Sequence, residues 1–122
     1  MGKRVLLIED EPNIIQAIGF ILSRDGWTVD THADGQTAMA EVHRRGPDLI
    51  ILDVMLPNRS GFDILQDLRA DPVTKDVPVL MLTARGQKKD REMALAFGAN
   101  RFMTKPFANA EVLGAVRELA GE

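Results

Sequence analysis

The 122 residues of this chain suffice for one domain with a buried core. Hydrophobic residues make up 45% of it, and 15 basic against 18 acidic side chains give a formal net charge of −3. This composition excludes a disordered tail and provides no basic field that would attract nucleic acid or an anionic membrane. Cysteine is absent, which excludes disulfides, thiolate metal sites and a thiol nucleophile.

No apolar run has the length of a signal peptide or of a membrane span. The first, residues 5–8, ends at acidic residues, whereas a signal needs about 7–15 apolar residues and a membrane helix needs about 18. We therefore expect a cytoplasmic protein that does not associate with membranes, and the lack of cysteine agrees with a reducing compartment.

Five segments have the composition of β-strands. Three are continuous apolar runs that end at polar residues, which is typical of strands buried on both faces of a parallel sheet. These runs are 5–8, 49–52 and 79–82. Two weaker candidates span 28–33 and 101–104, and the alternation of apolar and polar residues in the first of them predicts a strand at the edge of the sheet.

Helical patterns fill the gaps between these strands. Pro12 suits a first turn and Gly98 suits a C-terminal cap. Strict alternation of strand and helix predicts one α/β domain over residues 1–122, in which helices cover both faces of a parallel sheet. The apolar positions that mark the five helices are Ile14, Ile18, Ile21 and Leu22; Ala38 and Val42; Ile64, Leu65 and Leu68; Met93, Ala94 and Phe97; and Val112, Leu113, Val116, Leu119 and Ala120.

Polar side chains follow four of the predicted strands. Glu9 and Asp10 come after the first, Asp53 after the third, Thr83 after the fourth, and Lys105 after the fifth. Ligands of open α/β sheets bind outside the carboxyl ends of the strands, so we expect these side chains to converge. Three carboxylates in one place repel one another, and a hard divalent cation such as Mg²⁺, with Mn²⁺ as the alternative, relieves that repulsion.

This constellation indicates phosphoryl transfer onto a carboxylate. Carboxylates are accepted nucleophiles that form aspartyl phosphates. A cation and Lys105 would offset charge on the phosphoryl oxygens, and Thr83 would donate a hydrogen bond to one of them. Neighbouring acidic and basic residues receive simpler interpretations: Glu11 is expected only to charge the start of the first helix, and the mixed-charge segment 85–92 is expected to be a solvated loop and helix start.

In these motifs the chain resembles the receiver domain of two-component response regulators, the CheY-like family. The resemblance covers essentially the whole chain. It implies a doubly wound, flavodoxin-like (βα)5 fold with a five-stranded parallel sheet of order 2-1-3-4-5. The motifs that carry it are Glu9-Asp10; Asp53 with Met55-Leu56-Pro57 and Ser60-Gly61; Thr83-Ala84; and Lys105-Pro106-Phe107.

The resemblance implies a role for each site residue. Asp53 is the phosphoacceptor, Asp10 a direct metal ligand, Glu9 the partner of a metal-bound water, and Met55 a metal ligand through its backbone carbonyl. Lys105 binds the phosphoryl group.

Further positions are implied to form a switch. The bond from the lysine to Pro106 is expected to be cis. Thr83 and Ala84 contact the phosphoryl group, and the ring of Phe102, which stands where many relatives have tyrosine, turns inward. That movement would repack the face of helix 4, strand 5 and helix 5.

The implied function is a signalling switch rather than an enzyme with an outside substrate. A sensor histidine kinase or histidine phosphotransfer protein, meeting helix 1, would supply the phosphoryl group, and a protein target or tethered output domain would read the result. We expect no direct nucleic-acid binding. We also expect a monomer or weak dimer, because Asn100-Arg101 and Ala115 stand where DNA-binding relatives carry the charged residues of their dimer.

Three alternatives compete with this interpretation. A haloacid-dehalogenase-type phosphohydrolase needs a second acid two residues after the nucleophile, where this chain has Met55. A flavodoxin-like FMN carrier needs a phosphate loop where this chain is acidic, and the chain has no tyrosine to stack on the flavin. A receiver that acts only as an unphosphorylated scaffold is the third.

Overall fold

Strands and helices alternate along residues 3–84 and 86–121, which the computed structural model describes. All neighbouring strands pair in parallel, in the order β2-β1-β3-β4-β5, which confirms the predicted doubly wound fold. The strands are β1 (Arg4–Ile8), β2 (Thr28–His32), β3 (Leu49–Asp53), β4 (Val79–Thr83) and β5 (Arg101–Thr104). The helices are α1 (Pro12–Arg24), α2 (Ala38–Arg45), α3 (Gly61–Ala70), α4 (Lys88–Ala96) and α5 (Asn109–Leu119), and a 3-10 turn, Gly35–Thr37, precedes α2.

Helices cover both faces of the sheet, and alternate strand residues pack against each layer. Leu6 and Ile8 of β1 belong to the core beneath α2, α3 and α4, whereas Val5 and Leu7 belong to the core beneath α1 and α5. Because neither face is open to water, the central strands carry apolar residues at nearly every position. This two-sided burial explains the continuous apolar runs.

Element boundaries differ from the prediction in a few places. The strand β2 lies at the edge of the sheet, as predicted, and ends at His32 rather than at residue 33. Both β3 and β4 extend by one residue, so Asp53 and Thr83 end their strands instead of following them. The last helix ends at Leu119, and Ala120 is exposed beyond it rather than lying on its buried face.

A close backbone contact fixes the start of α3 against the end of β3. The Phe62 N–H donates to Ser60 Oγ (3.1 Å), which caps the helix, and the Gly61 N–H donates to the Val54 carbonyl (2.9 Å). A Cβ atom at Gly61 would overlap the carbonyl of Asp53. Glycine is therefore required where α3 passes the strand end that carries Asp53.

The helices are short, and their ends follow the sequence signals. Pro12 opens α1. Gly98 has φ of 105° just after α4, a conformation that glycine adopts without steric penalty. Among the residues that the structure describes, no helix combines the length and the apolar character that a bilayer span needs.

Candidate functional site

The carboxyl ends of β1, β3, β4 and β5 lie side by side at one edge of the sheet. Because these strands are parallel, the residues that end or follow them come together there. One carboxylate oxygen from each of Glu9, Asp10 and Asp53 lies within 4.8 Å of the other two. Lys105, which follows β5, places its ammonium against the same group.

Two of the three carboxylates are buried and held by backbone donors. Glu9 is 0% exposed and Asp53 is 2% exposed, while Asp10 is exposed. Glu9 Oε2 accepts hydrogen bonds from the N–H groups of Asp10 and Glu11, each at 3.2 Å. Asp53 Oδ1 accepts one from the Met55 N–H at 3.3 Å. The turns after β1 and β3 therefore orient both buried carboxylates.

The Lys105 ammonium contacts three carboxylates. Its Nζ lies 2.7 Å from Glu11 Oε1, 3.0 Å from Glu9 Oε1 and 3.5 Å from Asp53 Oδ1. The side chain is 9% exposed, and the Lys105 N–H donates to the Thr83 carbonyl at 2.7 Å. This sheet-edge bond places the lysine where its ammonium reaches across to the ends of β1 and β3.

Burial and charge shift the acid–base properties of the site in a consistent direction. Burial, then the charge of Glu9, raises the pKa of Asp53 to about 7, against the opposing effects of Lys105 and the Met55 N–H. Burial lowers the pKa of Lys105, but its hydrogen bonds to Glu11 and Glu9 outweigh burial, so the net pKa is raised. The lysine therefore stays charged, while Asp53 in the metal-free protein exchanges its proton near neutral pH.

The donor set fits a hard divalent cation. All three carboxylates offer oxygen, which suits Mg²⁺ or Mn²⁺. Glu9 Oε1 is buried and accepts no hydrogen bond from the described residues, although the Lys105 ammonium is 3.0 Å away. A buried carboxylate oxygen with unused acceptor capacity, next to a second carboxylate with a raised pKa, is a place where positive charge is stabilised.

The remaining predicted site residues lie on β4 and β5 or directly after these strands. Thr83 is buried at the end of β4, and Ala84, which follows it, is exposed. The Lys105–Pro106 peptide bond is cis. The Phe102 ring is 6% exposed and packs into the core beneath α2, α3 and α4, so in this structure it points inward.

Two acidic residues differ from the sequence interpretation. Glu11 occupies the N-cap position of α1, but its side chain makes no capping hydrogen bond and binds Lys105 instead. Asp90, expected in a solvated segment, is 3% exposed, whereas residue 85 of that segment lies outside the described residues. The sequence does show a third acidic residue, Glu11, directly after Glu9 and Asp10. Its lysine partner lies 94 residues away in sequence, so the pattern does not reveal the contact.

Comparison with curated proteins finds bacterial transcriptional regulators. The chain is 38% identical over 117 residues to the phosphate regulon transcriptional regulatory protein PhoB of Escherichia coli, covering 96% of this chain and 51% of that protein. It is 40% identical over 115 residues to the probable transcriptional regulatory protein TcrX of Mycobacterium tuberculosis, covering 94% and 48%. The chain thus spans about half the length of the curated relatives it matches.

Solved structures with the same fold superpose on the full length of this chain. A putative response regulator from Chloroflexus aurantiacus superposes with a TM-score of 0.94 at 29% identity, covering all of both chains. The receiver domain of a sensor histidine kinase from Pseudomonas aeruginosa, solved with a magnesium ion coordinated in its active-site cleft, gives a TM-score of 0.89 at 33% identity, again covering all of both.

The response regulator receiver domain family matches residues 5–117, a range that runs from β1 into α5 and takes in every carboxylate of the cluster. Receiver domains of this kind are signalling switches of two-component systems, not enzymes that turn over an outside substrate. With this match and the sheet order that the structure shares with its solved neighbours, the chain belongs to the response regulator receiver domain family.

Proposed function

We propose that residues 1–122 form a phosphorylation-dependent switch in which Asp53 accepts the phosphoryl group. The observation that carries this proposal is the burial of Asp53 beside Glu9 and Asp10, with Lys105 Nζ 3.5 Å from Asp53 Oδ1. Phosphoryl transfer to an aspartate requires a carboxylate nucleophile, an oxygen-only ligand set and a fixed positive charge, all of which meet here.

The proposed donor is a phosphohistidine of a sensor histidine kinase or histidine phosphotransfer protein. An oxygen of the ionised Asp53 carboxylate forms a bond to phosphorus while the phosphorus–nitrogen bond of the donor breaks. The electron pair of that bond stays on the imidazole nitrogen, which takes up a proton. Attack of water on phosphorus later releases inorganic phosphate and restores the carboxylate, so the chain returns to its starting state.

Mg²⁺ bound at the cluster, or Mn²⁺ in its place, supplies positive charge that favours the ionised form of Asp53 and offsets the charge of the phosphoryl oxygens. Glu9, Asp10, Asp53 and the Met55 backbone carbonyl would hold it. The reason is the donor set: Glu9 is buried with acceptor capacity to spare, and the exposed carboxylate of Asp10 opens the cluster to solvent and to a donor.

The switch itself is proposed to run from the phosphoryl group to the face of α4, β5 and α5. Lys105 would pair with one phosphoryl oxygen, and the Thr83 hydroxyl and the Ala84 backbone would contact others. Movement of the buried Phe102 ring would then change the surface above it, where the Arg91 guanidinium lies 5.5 Å from the ring centroid. The physical basis is that a change of charge at Asp53 shifts the balance between two packing arrangements of this face.

Protein partners, rather than nucleic acid, are proposed to meet this chain. Its formal charge of −3 gives no attraction to phosphate backbones. Since the curated relatives are about twice as long, the switch acts either on a separate protein or on a tethered output domain. We propose a cytoplasmic monomer or weak dimer, in which Arg101 is occupied by Glu118 of its own chain.

The test is phosphorylation by a small donor. The protein is incubated with Mg²⁺ and acetyl phosphate, and intact mass spectrometry counts phosphoryl adducts. Wild type and Asp63→Asn, a change at an exposed carboxylate on α3, should each gain one adduct. Asp53→Asn and a wild-type sample with chelator should gain none.

An adduct that survives Asp53→Asn would show that another residue is the acceptor. If folded wild type with Mg²⁺ gains no adduct from acetyl phosphate or from a phosphorylated histidine phosphotransfer protein, the unphosphorylated-scaffold alternative is correct.

A further inference from the structure

The closest recorded contact of the Lys105 ammonium is with a residue outside the proposed metal and phosphoryl site. Nζ lies 2.7 Å from Glu11 Oε1, against 3.5 Å from Asp53 Oδ1. A charge-assisted bond of this length is strong, and one ammonium has three protons to distribute among its acceptors. In the resting protein the lysine is therefore bound to Glu11 at the start of α1 more closely than to Asp53, the residue proposed to be phosphorylated.

We propose that Glu11 is a positioning residue that competes with the phosphoryl group on Asp53 for Lys105. The inference rests on the proposed function of Asp53. Glu11 binds the ammonium in the resting state, and this bond must break before Lys105 can pair with the phosphoryl group. The phosphorylated state is therefore less favourable than it would be without Glu11. Glu11 thus sets the balance between the two states without touching the phosphoryl group.

The position of Glu11 suits a competitor rather than a structural anchor. It is the N-cap residue of α1, yet its carboxylate makes no capping hydrogen bond and reaches to the lysine. Its side chain is 56% exposed, whereas the other carboxylate within 3.0 Å of the lysine, Glu9, is 0% exposed. Glu11 can exchange Lys105 for water as the lysine moves, while Glu9 cannot leave the buried site.

Two substitutions separate the contact from the charge. Glu11→Gln removes the negative charge, and Glu11→Asp keeps the charge but shortens the side chain. Aspartate is also a preferred N-cap residue, so its carboxylate is drawn to the first turn of α1 instead of to Lys105. Competition through the contact predicts the same effect for both variants, whereas simple repulsion predicts an effect of Glu11→Gln alone.

The probe is beryllofluoride, a phosphoryl mimic, titrated at saturating Mg²⁺. We expect both variants to bind it about fivefold more tightly than wild type, the change that loss of one partly exposed ion pair brings. In the metal-free protein, the Lys105 Cε signal in NMR spectra, assigned with Lys105→Arg, should move in the same direction in both variants. This signal reports on the lysine's partner and not on fold stability.

Each remaining outcome is decisive. Tighter binding in Glu11→Gln with wild-type binding in Glu11→Asp would overturn the proposal in favour of through-space repulsion, and unchanged or weaker binding in both would overturn it outright. If wild type neither binds beryllofluoride nor gains an acetyl phosphate adduct, the proposed function fails, and the competition fails with it. If wild type binds beryllofluoride and both Glu11 variants bind it no more tightly, the competition is refuted and the proposed function stands.

Discussion

In the metal-free protein, we expect Asp53→Asn to stabilise the fold above neutral pH and to have little effect near pH 4. Burial, followed by the charge of Glu9, raises the pKa of Asp53 from 3.8 to about 7. Between these values the folded state holds a proton that the unfolded state has released. The free energy of unfolding of wild type therefore falls as pH rises from about 4 to about 7, and asparagine removes this dependence.

The magnitude follows from the size of the pKa difference. At ~1.4 kcal/mol per pKa unit, a pKa raised from 3.8 to about 7 corresponds to about 4 kcal/mol as an upper limit. Relaxation of the site and entry of water lower the effective penalty of a buried charge, which reduces the effect. We expect Asp53→Asn to be more stable than wild type by about 2 to 4 kcal/mol at pH 8 and equally stable near pH 4.

Urea unfolding in the presence of chelator, at several pH values between about 4 and 8, measures this difference. The control is Asp63→Asn, which removes an exposed carboxylate and should give a curve parallel to wild type. If Asp53→Asn also runs parallel to wild type over the whole range, the carboxylate is not protonated in the folded state and the electrostatic account of the site is wrong.

Three further predictions use the same unfolding measurement. At pH 8, Mg²⁺ at about 100 times its dissociation constant should stabilise wild type by about 2.7 kcal/mol, and a matching gain in the Asp53→Asn variant would argue against a metal site that includes this carboxylate. Arg69→Ala should lower the free energy of unfolding by about 2 to 3 kcal/mol, because Arg69 donates to the Gly98 carbonyl at 2.9 Å and to the connection before β4. The control Arg44→Ala, which removes an exposed i,i+3 ion pair, should change the free energy of unfolding by less than ~0.5 kcal/mol. Equal losses in the two variants would contradict this ranking. Gly61→Ala should cost at least ~2 kcal/mol, since its Cβ overlaps the Asp53 carbonyl, and a stable variant with wild-type Mg²⁺ binding would show that α3 shifts freely.

The fold could be predicted because its strongest constraint is local in sequence. A strand covered on both faces must be apolar at successive positions, and the runs at 5–8, 49–52 and 79–82 have no other simple interpretation between helical segments. The edge strand β2 was recognisable for the opposite reason, since its outward positions meet water. The ends of the strands do not follow from the apolar pattern: Asp53 and Thr83 continue the ladder although they are polar, because backbone pairing does not depend on their side chains.

The gathering of Glu9, Asp10 and Asp53 followed from topology, since parallel strands deliver their carboxyl ends to one edge. The contact between Glu11 and Lys105 did not, because it depends on how far two long side chains reach across that edge. The burial of Asp90 was missed for a similar reason. A charged residue in a polar segment resembles a solvated one until the packing of its helix is known.

The excess of negative charge at the carboxyl edge of the sheet indicates that cation binding and phosphorylation are linked. The described residues place four carboxylates at this edge, those of Glu9, Asp10, Glu11 and Asp53, and the Lys105 ammonium contacts three of them. Transfer of a phosphoryl group would replace the one negative charge of ionised Asp53 with roughly two on the acyl phosphate. Lys105 cannot offset both, and its nearest recorded partner is the carboxylate of Glu11 rather than that of Asp53. Additional positive charge therefore favours the ionised nucleophile before transfer and the acyl phosphate after it, and removal of Glu11 shifts the same balance by releasing the lysine.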